Sequence, residues 1–173
     1  MAEQALAPVA RAWGASLGFV ANFRGRWGLV TSTRQLVAEL CNHYLKPTEQ
    51  TASLVMAVQE LLENLAKYAD ADGTFEFRLA LDGGAPKVTI RTENASTEEH
   101  LARAIAHLER IVAAPEPLAL YDEWVASSGE REGSHLGLIR LRAEAGLVLQ
   151  FSSEAGRLCL EARGSVEPRE ALP

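Results

Sequence analysis

A chain of 173 residues, 47% hydrophobic and 23% charged, has the balance of an ordinary globular domain and enough length to close one core. Its net charge of −6, with no basic cluster, speaks against a generic phosphate-backbone binder, so nucleic acid is not an expected partner. Cys41 and Cys159 are far apart and in no C-x-x-C pattern, which argues against a disulfide framework or zinc site and leaves two free thiols.

Residues Met1 to Val20 carry Glu3 and Arg11 and lack a clean apolar run, so they read poorly as a signal peptide. No stretch approaches the roughly 20 apolar residues of a membrane span. A cytoplasmic protein without membrane association is expected.

In chain order, Ser16 to Phe23 reads as a strand with Leu17, Phe19 and Phe23 on one face. Two helices follow, about Gly28 to Leu45 and about Glu49 to Ala69, parted by Lys46-Pro47-Thr48. Phe75, Phe77, Leu79 and Leu81 alternate with polar or small residues. After Asp82-Gly83-Gly84-Ala85-Pro86 the alternation resumes as Val88, Ile90 and Thr92, a β-hairpin. Helices are expected over about Thr97 to Val112 and Leu118 to Val125, then a polar loop from Ser127 to Ser134. A last helix from about Ser134 to Ala145 stops at Gly146, which suits a left-handed cap. Leu147, Leu149 and Phe151 turn through Ser153-Glu154-Ala155-Gly156 into Leu158, Leu160 and Ala162, a second hairpin. This order favours an α+β two-layer sandwich, helices on one face of a mostly antiparallel sheet, as one domain over 1–163 with a disordered tail over 164–173.

The helix from Glu49 to Ala69 separates its residues by type. At about 100° per residue Leu54, Val58, Leu61, Leu65 and Ala69 share one arc, and Glu60, Asn64 and Lys67 cluster nearly opposite. A carboxylate, an amide and an ammonium in one row suit water polarisation, Mg²⁺ ligation and phosphate contact; the same spacing also describes a solvated face with a Glu to Lys pair. Gly133-Ser134-His135-Leu136-Gly137-Leu138 runs from the polar loop into a helix, where backbone N–H groups attract anions. Ser134 as an ordinary cap and Gly137 as a packing glycine explain it equally well.

Other motifs carry less. Gly14-Ala15-Ser16-Leu17-Gly18 matches G-x-S-x-G, but Phe19 to Phe23 reads as strand where that motif needs a helix. His43, His100, His107 and His135 lack H-E-x-x-H spacing. His100 and His107 share a helix face seven apart, a pattern more often solvated than metal-bound. Trp13, Trp27 and Trp124 read as core or interface anchors.

Glu60-Leu61-Leu62-Glu63-Asn64-Leu65-Ala66-Lys67-Tyr68 resembles the N-box of the histidine-kinase-like (GHKL) ATPases, the superfamily of gyrase, Hsp90, histidine kinases and MutL. Gly133 to Leu138 is similar to its second glycine box. Asn94 at a strand end, the helical insertion through Leu101 to Tyr121 and Leu136-Gly137-Leu138-Ile139-Arg140 look like the SiaB-type branch, which resembles anti-sigma-factor kinases. The resemblance covers about Ser16 to Arg163.

It implies a Bergerat-type mixed sheet and an ATP- and Mg²⁺-dependent regulatory Ser/Thr kinase, acting on an anti-sigma-antagonist-like partner. The alternative is a degenerate module of the same fold that sequesters its partner without turnover. A homodimer is compatible with either. Glu60 would orient or deprotonate the attacking group, Asn64 would hold Mg²⁺, and Lys67, Asn94, Gly133, Ser134 and Gly137 would meet the nucleotide. The chain departs from the family in having Asn94 where the D-x-G-x-G box has Asp, with no following glycine, and His135 in place of a glycine.

Overall fold

The computed structural model describes residues 9–10, 16–23, 27–68, 73–81, 84–127 and 136–169. A two-residue strand β1 (Val9–Ala10) precedes β2 (Ser16–Phe23), α1 (Trp27–Tyr44), α2 (Glu49–Tyr68), β3 (Gly73–Ala80) and β4 (Lys87–Ala95). Then come α3 (Glu98–Ala113), α4 (Pro117–Ser127), α5 (Leu136–Ala143), β5 (Val148–Glu154) and β6 (Arg157–Ser165). Among the described residues no helix is long and apolar enough to cross a membrane.

The six strands form one sheet in the order β1-β2-β3-β4-β6-β5, and every described pairing is antiparallel. The α+β sandwich is therefore as expected, but no parallel pair makes the sheet mixed. The reason is that β6 folds back as a hairpin from β5 and inserts beside β4. The hairpin turn is Ala155-Gly156, both at positive φ (51° and 76°), the backbone that matches strand twist in a two-residue turn.

Register aligns the apolar sets. Phe77 lies opposite Ile90, Ile90 opposite Ala162, and Ala162 opposite Leu149, so one face is apolar across four strands. Phe19, Phe75 and Phe77 stack at its centre with ring centroids about 6 Å apart. The helices cover this face, and Leu54, Val58, Leu61, Leu62 and Leu65 of α2 are buried against it. The opposite face alternates charge, with Arg78 bonded to Glu76 at 2.7 Å and Arg157 to Glu93 at 2.8 Å. Both cysteines are free thiols. Burial in α1 pushes the Cys41 thiol up to about 12, which leaves it inert. Trp124 joins the core, Trp27 is half exposed, and Trp13 lies outside the described residues.

Arginines from elsewhere in the chain close two helix ends. The Arg142 guanidinium donates to the carbonyls of Ile111, Val112 (3.1 Å) and Ala114 (3.3 Å) at the end of α3, and Arg169 donates to Asn42 in the last turn of α1. Each places a cation at the negative pole of a helix. The Arg169 contact overturns the expectation of disorder over Gly164 to Arg169, and residues 170–173 of the expected tail lie outside the described residues. Gly164 and Ser165 belong to β6, Val166 is buried, and Pro168 bridges Leu45. The prolines read as tail-like, yet a short tie through Lys46 N–H to the Glu167 carbonyl (3.1 Å) orders the segment.

Replacing Arg142 by Met keeps its apolar stem but leaves the α3 carbonyls unmet, and should cost about 1–3 kcal/mol. A urea midpoint equal to wild type would show that these bonds contribute nothing.

Candidate functional site

The residue row expected on α2 is split by its surroundings. Helix α5 lies directly on α2 at Gly137, where an added Cβ would stand 2.4 Å from both Glu60 Cβ and Glu60 Oε2. Only a glycine allows that approach. The Glu60 carboxylate is thus covered by α5. Its Oε1 accepts a bond from Arg140 Nη1 at 3.2 Å, and Arg140 also donates from Nη2 to the Tyr121 hydroxyl at 2.9 Å and pairs through Nε with Glu144 at 3.0 Å. Burial pushes the Glu60 carboxyl up, against the opposing pull of the Arg140 cation and the Gly137 N–H.

Asn64, one turn on, has a different environment. With Leu61 and Leu65 it lines a cavity of about 280 Å³ between α2, α3 and the ends of β4 and β6. Thr92, Asn94 and Ser96 at the end of β4 form a second polar wall, and Leu101, Leu108, Leu138, Leu158 and Leu160 supply apolar surface. The strand carries Asn94 to this point because Asn94 lies opposite Leu158 in the same register that places Thr92 opposite Leu160. Thr97 then caps α3 by accepting the His100 N–H at 3.3 Å, turning the chain across the cavity.

The helical wheel thus misplaces two things. Leu61 and Asn64 share a cavity rather than opposite faces, and the row is solvated only in part: α5 covers Glu60 to 25% side-chain exposure, while Lys67 at its end is exposed. Of the expected site residues, Asn64 and Asn94 come together. Glu60 and Gly137 touch each other outside the cavity lining, with Gly137 in the packing role. Lys67 is exposed and also outside the lining. Of the loop expected from Ser127 to Ser134, Ser127 ends α4 and the rest, with Gly133, Ser134 and the following His135, lies outside the described residues.

The basic groups that do line the cavity come from α3: His100, Arg103 and His107, at i, i+3 and i+7. His107 stacks on Trp124 of α4 with centroids 4.4 Å apart. The seven-residue histidine spacing was the sequence signal for this face, although it reads there as a solvated one. Arg140 had no comparable signal, since its partner lies 80 residues away. Among the described residues no group of three or more His, Cys, Asp or Glu is gathered to hold a metal ion.

Gly137→Ala should lose about 1–3 kcal/mol of stability, because the Cβ of Glu60 is too close to its backbone to swing aside; an unchanged denaturation midpoint would mean α5 is not seated as described. Glu60 titrates above its unfolded value, so the native state holds the proton more tightly. The stability this gives is complete below the unfolded value near about 4.3 and is lost as pH rises through the folded one. Glu60→Gln should flatten that decline. Parallel stability profiles for variant and wild type above about pH 4.3 would contradict it.

The fold is SiaB-like. It is similar to a chain in the crystal structure of the SiaB–SiaC complex from Pseudomonas aeruginosa, with a TM-score of 0.60 over 85% of this chain and 89% of that one, at 15% sequence identity. No protein-family model and no curated protein matches the sequence.

Proposed function

We propose that the chain is an ATP- and Mg²⁺-dependent regulatory Ser/Thr kinase of a cytoplasmic partner-switching pathway, acting on an anti-sigma-antagonist-like protein. The observation that carries this reading is the convergence of Asn64 and Asn94, from a helix and a distant strand end, on one cavity with apolar walls. Its support in fold is the likeness to a chain crystallised as a SiaB–SiaC complex.

The residues present suit the nucleotide. Leucine walls exclude water from a flat ring, and Asn94 and Thr92 offer donors and acceptors to its edge. The Asn64 amide oxygen is a hard ligand of the kind Mg²⁺ takes in ones and twos beside phosphate oxygens. When bound, Mg²⁺ neutralises phosphate charge. Glu60 lies one helical turn from Asn64 and would orient the attacking hydroxyl, a modest duty because a loose transition state asks little of a base.

A second reading has its own support. With Glu60 held by Arg140, the missing D-x-G-x-G glycines and Lys67 outside the cavity, the same fold suits a module that sequesters its partner without turnover.

Calorimetric titration with Mg-ATP should give a single site in wild type, and Asn64→Ala should weaken it at least about tenfold, as loss of a metal ligand does. Equal affinity in the variant would remove Asn64 from the site. Transfer of γ-labelled phosphate to a lysate protein separates kinase from sequestering module: no labelled product, with a partner still co-purifying, supports the second reading.

A further inference from the structure

The cavity has a charge asymmetry. Among the described residues no aspartate or glutamate lines it, although the chain carries a net −6, and the described basic groups all come from one face of α3. His100, Arg103 and His107 alternate along that face with Leu101, Ala104 and Leu108, so the helix presents an apolar floor edged by donors. Across the cavity the described polar residues are neutral: Asn64, Thr92, Asn94 and Ser96. One wall is cationic or protonatable and the facing wall is neutral.

We propose that His100, Arg103 and His107 of α3 are the specificity-determining set of this cavity, and that its ligand is an anion-bearing ring compound whose phosphate group is met by α3. Resting on the nucleotide reading above, this assigns to α3 the phosphate contact that the sequence pattern gives to Lys67. The ring lies against the leucines, with its edge toward Asn94, and the negative group faces the three side chains.

Local packing suits that role. His107 is backed by Trp124, which is 8% exposed, and the Arg110 guanidinium stands 5.3 Å from the same ring, so His107 is held at a fixed angle to the cavity. Arg103 is two-thirds exposed, and its pairing with Glu99 at 3.4 Å is a surface contact of the kind that contributes little. A phosphate can therefore recruit it at small cost. A planar guanidinium suits phosphate oxygens better than a point charge does.

The test is calorimetry at fixed ionic strength on wild type, Arg103→Gln and the triple variant His100→Gln, Arg103→Gln, His107→Gln, using Mg-ATP, adenosine and pyrophosphate as probes. In wild type, ATP should bind at least about tenfold tighter than adenosine. The triple variant should lose that margin while adenosine affinity stays unchanged, and Arg103→Gln, altering an exposed side chain, should lose part of it in a folded protein. Equal weakening of ATP and adenosine would reduce α3 to a structural wall and overturn the proposal, as would wild-type ATP affinity in the triple variant. If pyrophosphate binds wild type but not the triple variant and neither ATP nor adenosine binds, the nucleotide reading falls and the anion assignment stands. If none of the probes binds wild type, the anion assignment falls.

Discussion

The absence of a side chain at Gly137 sets the spacing on which the upper layer depends. Because α5 can rest its backbone on Glu60, the next residues of the same short helix reach three different elements. Leu138 enters the cavity lining, Arg140 bonds Tyr121 of α4, and Arg142 closes the end of α3. A wider separation of α5 from α2 would displace all three contacts together. The cavity is thus shaped from above by a helix that contributes only one residue to its wall.

The same close contact sets the electrostatics. Partly burying a carboxylate is costly unless it is paired, and Arg140 supplies the pair from within the covering helix. The guanidinium is shared among Glu60, Glu144 and the Tyr121 hydroxyl, which fixes its orientation. A carboxylate held in this way is fixed in position, and because burial outweighs the Arg140 cation it also holds a proton more tightly than a free one. Phosphoryl transfer that relies on positioning and charge neutralisation makes use mainly of the fixed orientation. The cavity itself carries its positive groups on the opposite side, on α3, so the two charged centres of the upper layer are separate.

Strands and helices were legible because periodicity is local. The alternation of Phe75, Phe77 and Leu79 and the return through Val88 and Ile90 determine a hairpin whatever surrounds it. The α2 wheel was informative about Leu54, Val58 and Leu65 but not about Glu60, since a wheel takes no account of a second helix, and α5 half-covers Glu60. Asn64 and Asn94 line one cavity because each sits where its element meets it. The spacing of His100 and His107 was visible, but not the cavity they line, because that cavity is closed by β4, β6 and α2, which are distant in the sequence. Ordering of the segment from Gly164 to Arg169 escaped the sequence for a similar reason: it depends on carbonyls of α1 more than a hundred positions upstream.

The insertion of β6 between β4 and β5 has a consequence for synthesis on the ribosome. After β4 emerges, its outer edge has no strand to pair with until about sixty further residues have been translated, a wait of several seconds at roughly 5–20 residues per second. During that interval β2, β3 and β4 form a three-stranded sheet whose growing side exposes the N–H and C=O groups of Val88, Ile90 and Thr92. The nascent chain therefore carries an open edge on β4 that β6 covers in the finished sheet, where β5 takes the outer position.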